Sequence, residues 1–179
     1  KNQNPWFKPT NQMVSAARIL VPRSFNDSFV IYHNPKKYLS LRFYRLHLKQ
    51  GQEIQLVAYL NSTLVAFFLE TLGNKALGQG VLDFFMADFL ALRIPVIQTS
   101  ELERAYDILR KREILSVWEE YGLCIQNEKR IFKPLEDRRE LDNIIFDTLK
   151  LSQGERDAVY EAVIDLVKTR LDKAVSLND

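Results

Sequence analysis

The chain has 179 residues, 46% of them hydrophobic, which is enough for one domain, or a domain and a small companion, around a real core, and excludes an intrinsically disordered chain. A single cysteine, Cys124, excludes an internal disulfide framework and fits a reducing cytoplasm. The net charge of +2 is unevenly placed: residues 1–97 hold 11 Lys or Arg against 5 Asp or Glu, and residues 98–179 hold 14 against 18, so only the first part is expected to face a polyanion.

No basic-then-apolar leader follows Lys1, which argues against secretion, and the chain reads as a piece of a longer cytoplasmic protein. Arg18-Ile19-Leu20-Val21-Pro22 and Ser28-Phe29-Val30-Ile31-Tyr32 are short apolar runs on either side of Asn26-Asp27, the pattern of two strands across a turn. Residues 41–48 form the clearest strand. Leu41, Phe43, Arg45 and His47 share one face and Arg42, Tyr44, Leu46 and Leu48 the other, so at least one mixed face must meet something besides solvent. From about residue 53 to 72, Val57, Leu60, Leu64 and Phe68 recur at helical spacing, and further apolar residues widen the stripe nearly all round. Gln55, Asn61, Ser62 and Thr63 interrupt the apolar run, which also falls short of the roughly 20 residues a bilayer span needs, so a core helix is expected here and no membrane contact.

Gly73 is expected to cap that helix in the left-handed conformation. The loop Gly73-Asn74-Lys75-Ala76-Leu77-Gly78-Gln79-Gly80 follows, then a strand at 81–85, a helical turn at 86–92 and an edge strand at Ile94-Pro95-Val96. After Gln98 the texture changes to dense charge at helical period. It predicts helices over 101–111, 113–121 and 137–150, a linker over 129–136, and a last helix to about Ala174 that opens on the capping-box pattern Ser152-Gln153-Gly154-Glu155.

Reactive constellations are sparse. Asn4-Pro5-Trp6-Phe7 has the outline of the Asn-Pro-Pro-aromatic motif that holds a flipped adenine, but Trp6 replaces the second proline and no strand or glycine-rich turn precedes it. His33, His47 and Cys124 lack the paired spacing of a zinc site, and the many acids fall at expected solvent positions of charged helices. The 73–80 loop lacks the Gly-Lys-Ser/Thr ending of a P-loop. Its polar tip offers Lys75 for a phosphate and Asn74 or Gln79 for a base edge, or simply makes a tight connection. Arg18, Arg23, Lys36, Lys37, Arg42 and Arg45, interleaved with Tyr32, Phe43 and Tyr44, extend a candidate DNA-binding surface.

Taken in order, Trp6-Phe7, Arg18-Ile19-Leu20-Val21-Pro22-Arg23, Leu60-Asn61-Ser62-Thr63-Leu64, the glycine-rich loop and Asp88-Phe89-Leu90-Ala91-Leu92-Arg93-Ile94-Pro95 make the chain resemble the target-recognition region of a type II, Gamma-class adenine-specific DNA methyltransferase, with a TaqI-like specificity domain. Asp137-Arg138-Arg139-Glu140-Leu141-Asp142 and Glu155-Arg156-Asp157 are similar to the helical C-terminus of larger restriction-modification members. The resemblance implies an α+β fold: a small mixed sheet with a buried helix over residues 1–97, then a helical extension over 98–179. It also implies an upstream methyltransferase domain of the same polypeptide that holds S-adenosylmethionine and the flipped base, while this region grips double-stranded DNA with no cofactor, metal or catalytic residue of its own. A specificity subunit of a type I restriction system is the neighbouring alternative. A protein-interaction module without DNA binding is the alternative from another class.

Overall fold

A computed structural model describes residues 16–40, 42–49, 51–75, 80–92, 95 and 99–176. The Asn4 to Phe7 motif, Gln79 and most of the Ile94-Pro95-Val96 strand lie outside them. The fold is α+β, with seven helices and three small antiparallel sheets among the described residues.

The first sheet has the order β3-β1-β4, from β1 (Ile19–Pro22), β3 (Tyr32–His33) and β4 (Phe43–Leu46). The two runs expected to face each other across Asn26-Asp27 do pair, with Leu20 opposite Tyr32, although regular strand in the second covers only its end. Between them β2 (Ser24–Phe25) leaves the sheet to pair with β5 (Leu82–Asp83), so one continuous stretch of chain feeds two sheets.

The predicted 53–72 helix is two helices, α1 (Glu53–Leu60) and α2 (Thr63–Leu72), whose axes differ by 65°. Side-chain hydrogen bonding at Asn61-Ser62 causes the break. The Asn61 amide spans the peptide edge of Ile31, accepting from its N–H at 3.1 Å and donating to its carbonyl at 2.8 Å, while Ser62 N-caps α2 by accepting from Val65 N–H. No single helix among the described residues is long and apolar enough to cross a membrane; α1 and α2 pass on length and composition only as this bent pair. Gly73 closes α2 in an extended conformation, φ −69°, rather than the left-handed one expected. Glycine is required there by close approach: a Cβ would lie 2.6 Å from Leu82 Cδ1 and 2.8 Å from the Leu69 carbonyl.

After α3 (Met86–Ala91) come α4 (Ser100–Leu109) and α5 (Val117–Tyr121), the latter shorter than its charge periodicity suggested. The expected linker is instead half of a hairpin, β6 (Leu123–Gln126) and β7 (Lys129–Phe132), turning on Asn127 and Glu128 with φ +51° and +64°. That two-residue left-handed turn matches strand twist, but glutamate at its second position hides the usual Asn-Gly signal. Helices α6 (Glu136–Thr148) and α7 (Gln153–Ser176) complete the chain. At the start of α7 the glutamate half of the capping box forms, with Glu155 accepting from Ser152 N–H at 2.7 Å; the serine hydroxyl donates to the same carboxylate oxygen.

The helical extension packs on the preceding part. Helix α7 lies on α2, α4 packs on α1 and α6, and one apolar cluster runs without interruption from Ile19 and Val21 through Val57, Leu69 and Leu102 to Ile145, Val163 and Val167. Two buried ionic sets stitch this junction. Arg170, 5% exposed, donates to Glu70 Oε1 at 2.6 Å, to the Asn26 carbonyl at 2.6 Å and to the Gly80 carbonyl, so α7 holds α2, the β2 turn and the far end of the glycine-rich loop together. The second set centres on Arg138, which donates to Glu120 at 2.9 Å and to the Asn61 carbonyl at the α1–α2 break. Beside it, Asp142 accepts from Thr63 N–H at 2.8 Å, Thr63 Oγ1 at 2.6 Å and Tyr160 hydroxyl at 3.0 Å. Glu120 and Asp142 were expected on solvated faces and are fully inside; charge at helical period marks their helices but says nothing about which charges find internal donors.

Candidate nucleic-acid interface

Register decides which side of the β3-β1-β4 sheet turns to the core. Opposite residues share a face, so Ile19, Val21, Tyr44 and Leu46 turn to the core, while Leu20, Pro22, Tyr32, Phe43 and Arg45 form the outer face. Leu48 packs on the core beyond the strand end. On the outer face, the Tyr32 and Phe43 rings meet edge to face at 5.6 Å across β1, and Leu20 between them is buried. Of the two mixed faces predicted for β4, the one carrying Tyr44 and Leu46 packs on the core, and the one carrying Phe43 and Arg45 is the opposite one.

The predicted basic residues do not all join this face. Arg42 is exposed at the entrance to β4, Arg45 sits in the outer row opposite Leu20, and Lys36 and Lys37 are exposed on the β3–β4 connection. Arg18 pairs with Glu53 at 3.3 Å, and the Arg23 guanidinium lies 5.1 Å from the ring of Tyr44, a core-side residue of β4. Asn74 and Lys75 belong to the other sheet: Asn74 bridges Asp83 through both backbone groups, at 2.8 and 3.0 Å, and Lys75 Nζ is 3.9 Å from the buried Glu70 carboxylate. Gln79 lies outside the described residues. The stretch that builds the first sheet nonetheless carries an excess of positive charge, with seven Lys or Arg and a single acid, Asp27, between residues 16 and 49.

Beside β3, an open cleft of about 500 Å³ is lined by Tyr32, His33, Tyr106 and Arg110 among others. Burial and the positive charge of Arg110 lower the His33 pKa, and burial pushes the Tyr106 hydroxyl up to about 12. His47 is exposed, and the Cys124 thiol donates to the Ile131 carbonyl at 3.5 Å. No group of three or more His, Cys, Asp or Glu suited to a metal ion occurs among the described residues.

Two features escaped the sequence reading. One is the pair of buried asparagines, Asn34 and Asn61, each clamping the N–H and carbonyl of one residue, Tyr38 and Ile31; Asn34-Pro35 was a turn signal that could have exposed the first. The other is the pair Tyr38 and Leu39 on the β3–β4 connection, which no strand or helix periodicity picks out. In comparisons with protein-family models, curated proteins and solved structures, nothing matches this chain.

Proposed function

We propose that the chain binds duplex DNA through the outer face of the β3-β1-β4 sheet and the β3–β4 connection, as the sequence-recognition part of an adenine-N6 DNA methyltransferase of a restriction-modification system. The observation that carries the reading is a sheet face of Tyr32, Phe43 and Arg45, bordered by Lys36, Lys37 and Arg42, in a stretch with seven cations and one acid. Cations supply the sequence-independent part of affinity by displacing counterions from phosphates, and aromatic or planar groups beside them meet sugars and base edges. The adenine chemistry rests on the family resemblance alone and belongs to an upstream S-adenosylmethionine-binding domain; this region supplies grip and register.

Fluorescence anisotropy with a labelled duplex of about 20 base pairs, across a salt series, tests the reading. Four to six phosphate contacts predict a slope of log affinity against log salt of roughly −4 to −5. Binding that ignores salt, or none at low ionic strength, rejects it. Fusion to the upstream segment of the parent polypeptide should yield methyl transfer to adenine from S-adenosylmethionine.

A further inference from the structure

The β3–β4 connection presents two large apolar side chains to solvent on a backbone that is held rigid from within. Tyr38 is 65% exposed and Leu39 57%. The backbone under them is clamped by Asn34, itself 5% exposed: its Oδ1 accepts from Tyr38 N–H at 2.9 Å, and its Nδ2 donates to the Tyr38 carbonyl at 2.9 Å and to the Ala17 carbonyl at 2.8 Å. Lys37 N–H donates to the Asn34 carbonyl at 3.0 Å, and Lys37 adopts φ +54° to make the reversal. A buried amide has thus spent one donor and its acceptor on the backbone of Tyr38, whose side chain touches water, and its other donor on tying that backbone to Ala17. Large apolar side chains left exposed on a fixed loop mark an interaction site more strongly than the same residues on a loose one, because ordering the loop costs nothing further on binding.

We infer that Tyr38 and Leu39 form a wedge that enters duplex DNA between adjacent base pairs and kinks it. The inference rests on the DNA reading above and deepens it. Charge complementarity selects the occupant: Lys36 and Lys37 precede the wedge and Arg42 follows it, and no carboxylate among the described residues pairs with any of the three. An apolar tip between cations is the arrangement that unstacks a base step while neighbouring phosphates are held, with kinks of roughly 20–90°. The Tyr32 and Phe43 rings on the adjoining sheet face then meet the backbone of the bent duplex.

Energy transfer between dyes at the two ends of a 25-base-pair duplex, saturated with the full 179-residue chain, measures the bend. The wild-type chain is expected to shorten the end-to-end distance. The Tyr38→Ala/Leu39→Ala variant is expected to leave the duplex straight and bind about tenfold more weakly, with the same salt slope because no phosphate contact is lost. Both side chains are mostly exposed, so the variant should melt at the wild-type temperature, and Tyr38→Phe/Leu39→Met should restore bending. Salt-dependent binding without a bend, or equal bending by the alanine variant, overturns the wedge and leaves the DNA reading standing. No salt-dependent duplex binding, together with Tyr38-dependent binding to phosphatidylserine vesicles, overturns both.

Discussion

Arginines and lysines in the two parts of this molecule have opposite fates. Around the β3-β1-β4 sheet, Lys36, Lys37 and Arg42 project into solvent with few acids nearby, whereas in the helical part Arg110, Arg112, Arg130, Arg138, Arg156 and Arg170 each hold a carboxylate. Arg112 alone bridges Glu120 and Asp137, at 2.5 and 2.7 Å. The same residue types therefore serve as structural ties where acids share the packing and as a positive surface where they do not. What separates the two is the local supply of acids and the depth of burial, not the cation itself.

The sharpest way to break this comparison is to remove a tie. Arg138→Met keeps volume but takes one of two guanidinium partners from the buried Glu120 and the neighbouring positive charge from the buried Asp142, so guanidinium denaturation should show a loss of about 3–5 kcal/mol. A loss below about 1 kcal/mol would show that the network is not structural.

Acid should act on the same ties. Burial works to raise the Glu120 pKa, but hydrogen bonds and charge from Arg112 and Arg138 bring it below the usual value, and a hydrogen bond from Arg112 lowers Asp137. Groups lowered in the folded state stabilise it above their unfolded values, near pH 4, and that stability drains away as pH falls further. Asp142, raised chiefly by burial, has the opposite sign: its contribution is fully present below its unfolded pKa and is lost as pH rises through its folded one. Thermal melting from pH 7 to 2 should therefore fall below about pH 4, and Glu120→Gln should flatten that limb while lowering stability at pH 7. A variant whose acid limb is as steep as wild type would refute the assignment.

On the other side of the comparison, Lys36→Gln/Arg42→Gln should change stability by under about 0.5 kcal/mol, since neither side chain is packed. It should also make the salt slope for duplex binding shallower by about 2. Lys75→Ala should do least: with its ammonium drawn toward Glu70, duplex binding should stay within about twofold and stability within about 0.5 kcal/mol. A uniform loss of affinity for all duplexes would instead return Lys75 to the phosphate-contacting set.

Much of the architecture was legible because it repeats. β1 and β4 announce themselves as short runs of β-branched, aliphatic and aromatic residues, and α4, α6 and α7 by apolar residues on one face. The failures fall where a single side chain overrules a period. Asn61 and Ser62 split a continuous apolar helix because their polar groups bond to the backbone, and the β6–β7 hairpin turns at Asn127-Glu128 without a glycine. For the interface, the predicted cations were recoverable as a cluster of positive charge, but their sorting was not. Arg18 is diverted by Glu53 and Lys75 by Glu70, partners 35 and 5 residues away that no local pattern links to them.

By itself the sequence determined the α+β class, the position of the buried helical stretch and the excess of positive charge before residue 98, because each follows from composition or from a short period along the chain. Only the tertiary structure decided which face of β4 turns to the core, which acids are buried, and that the Asn34 clamp presents Tyr38 and Leu39 outward. Those outcomes depend on strand register and on hydrogen bonds between residues far apart in the chain, and neither is written in the spacing of neighbours.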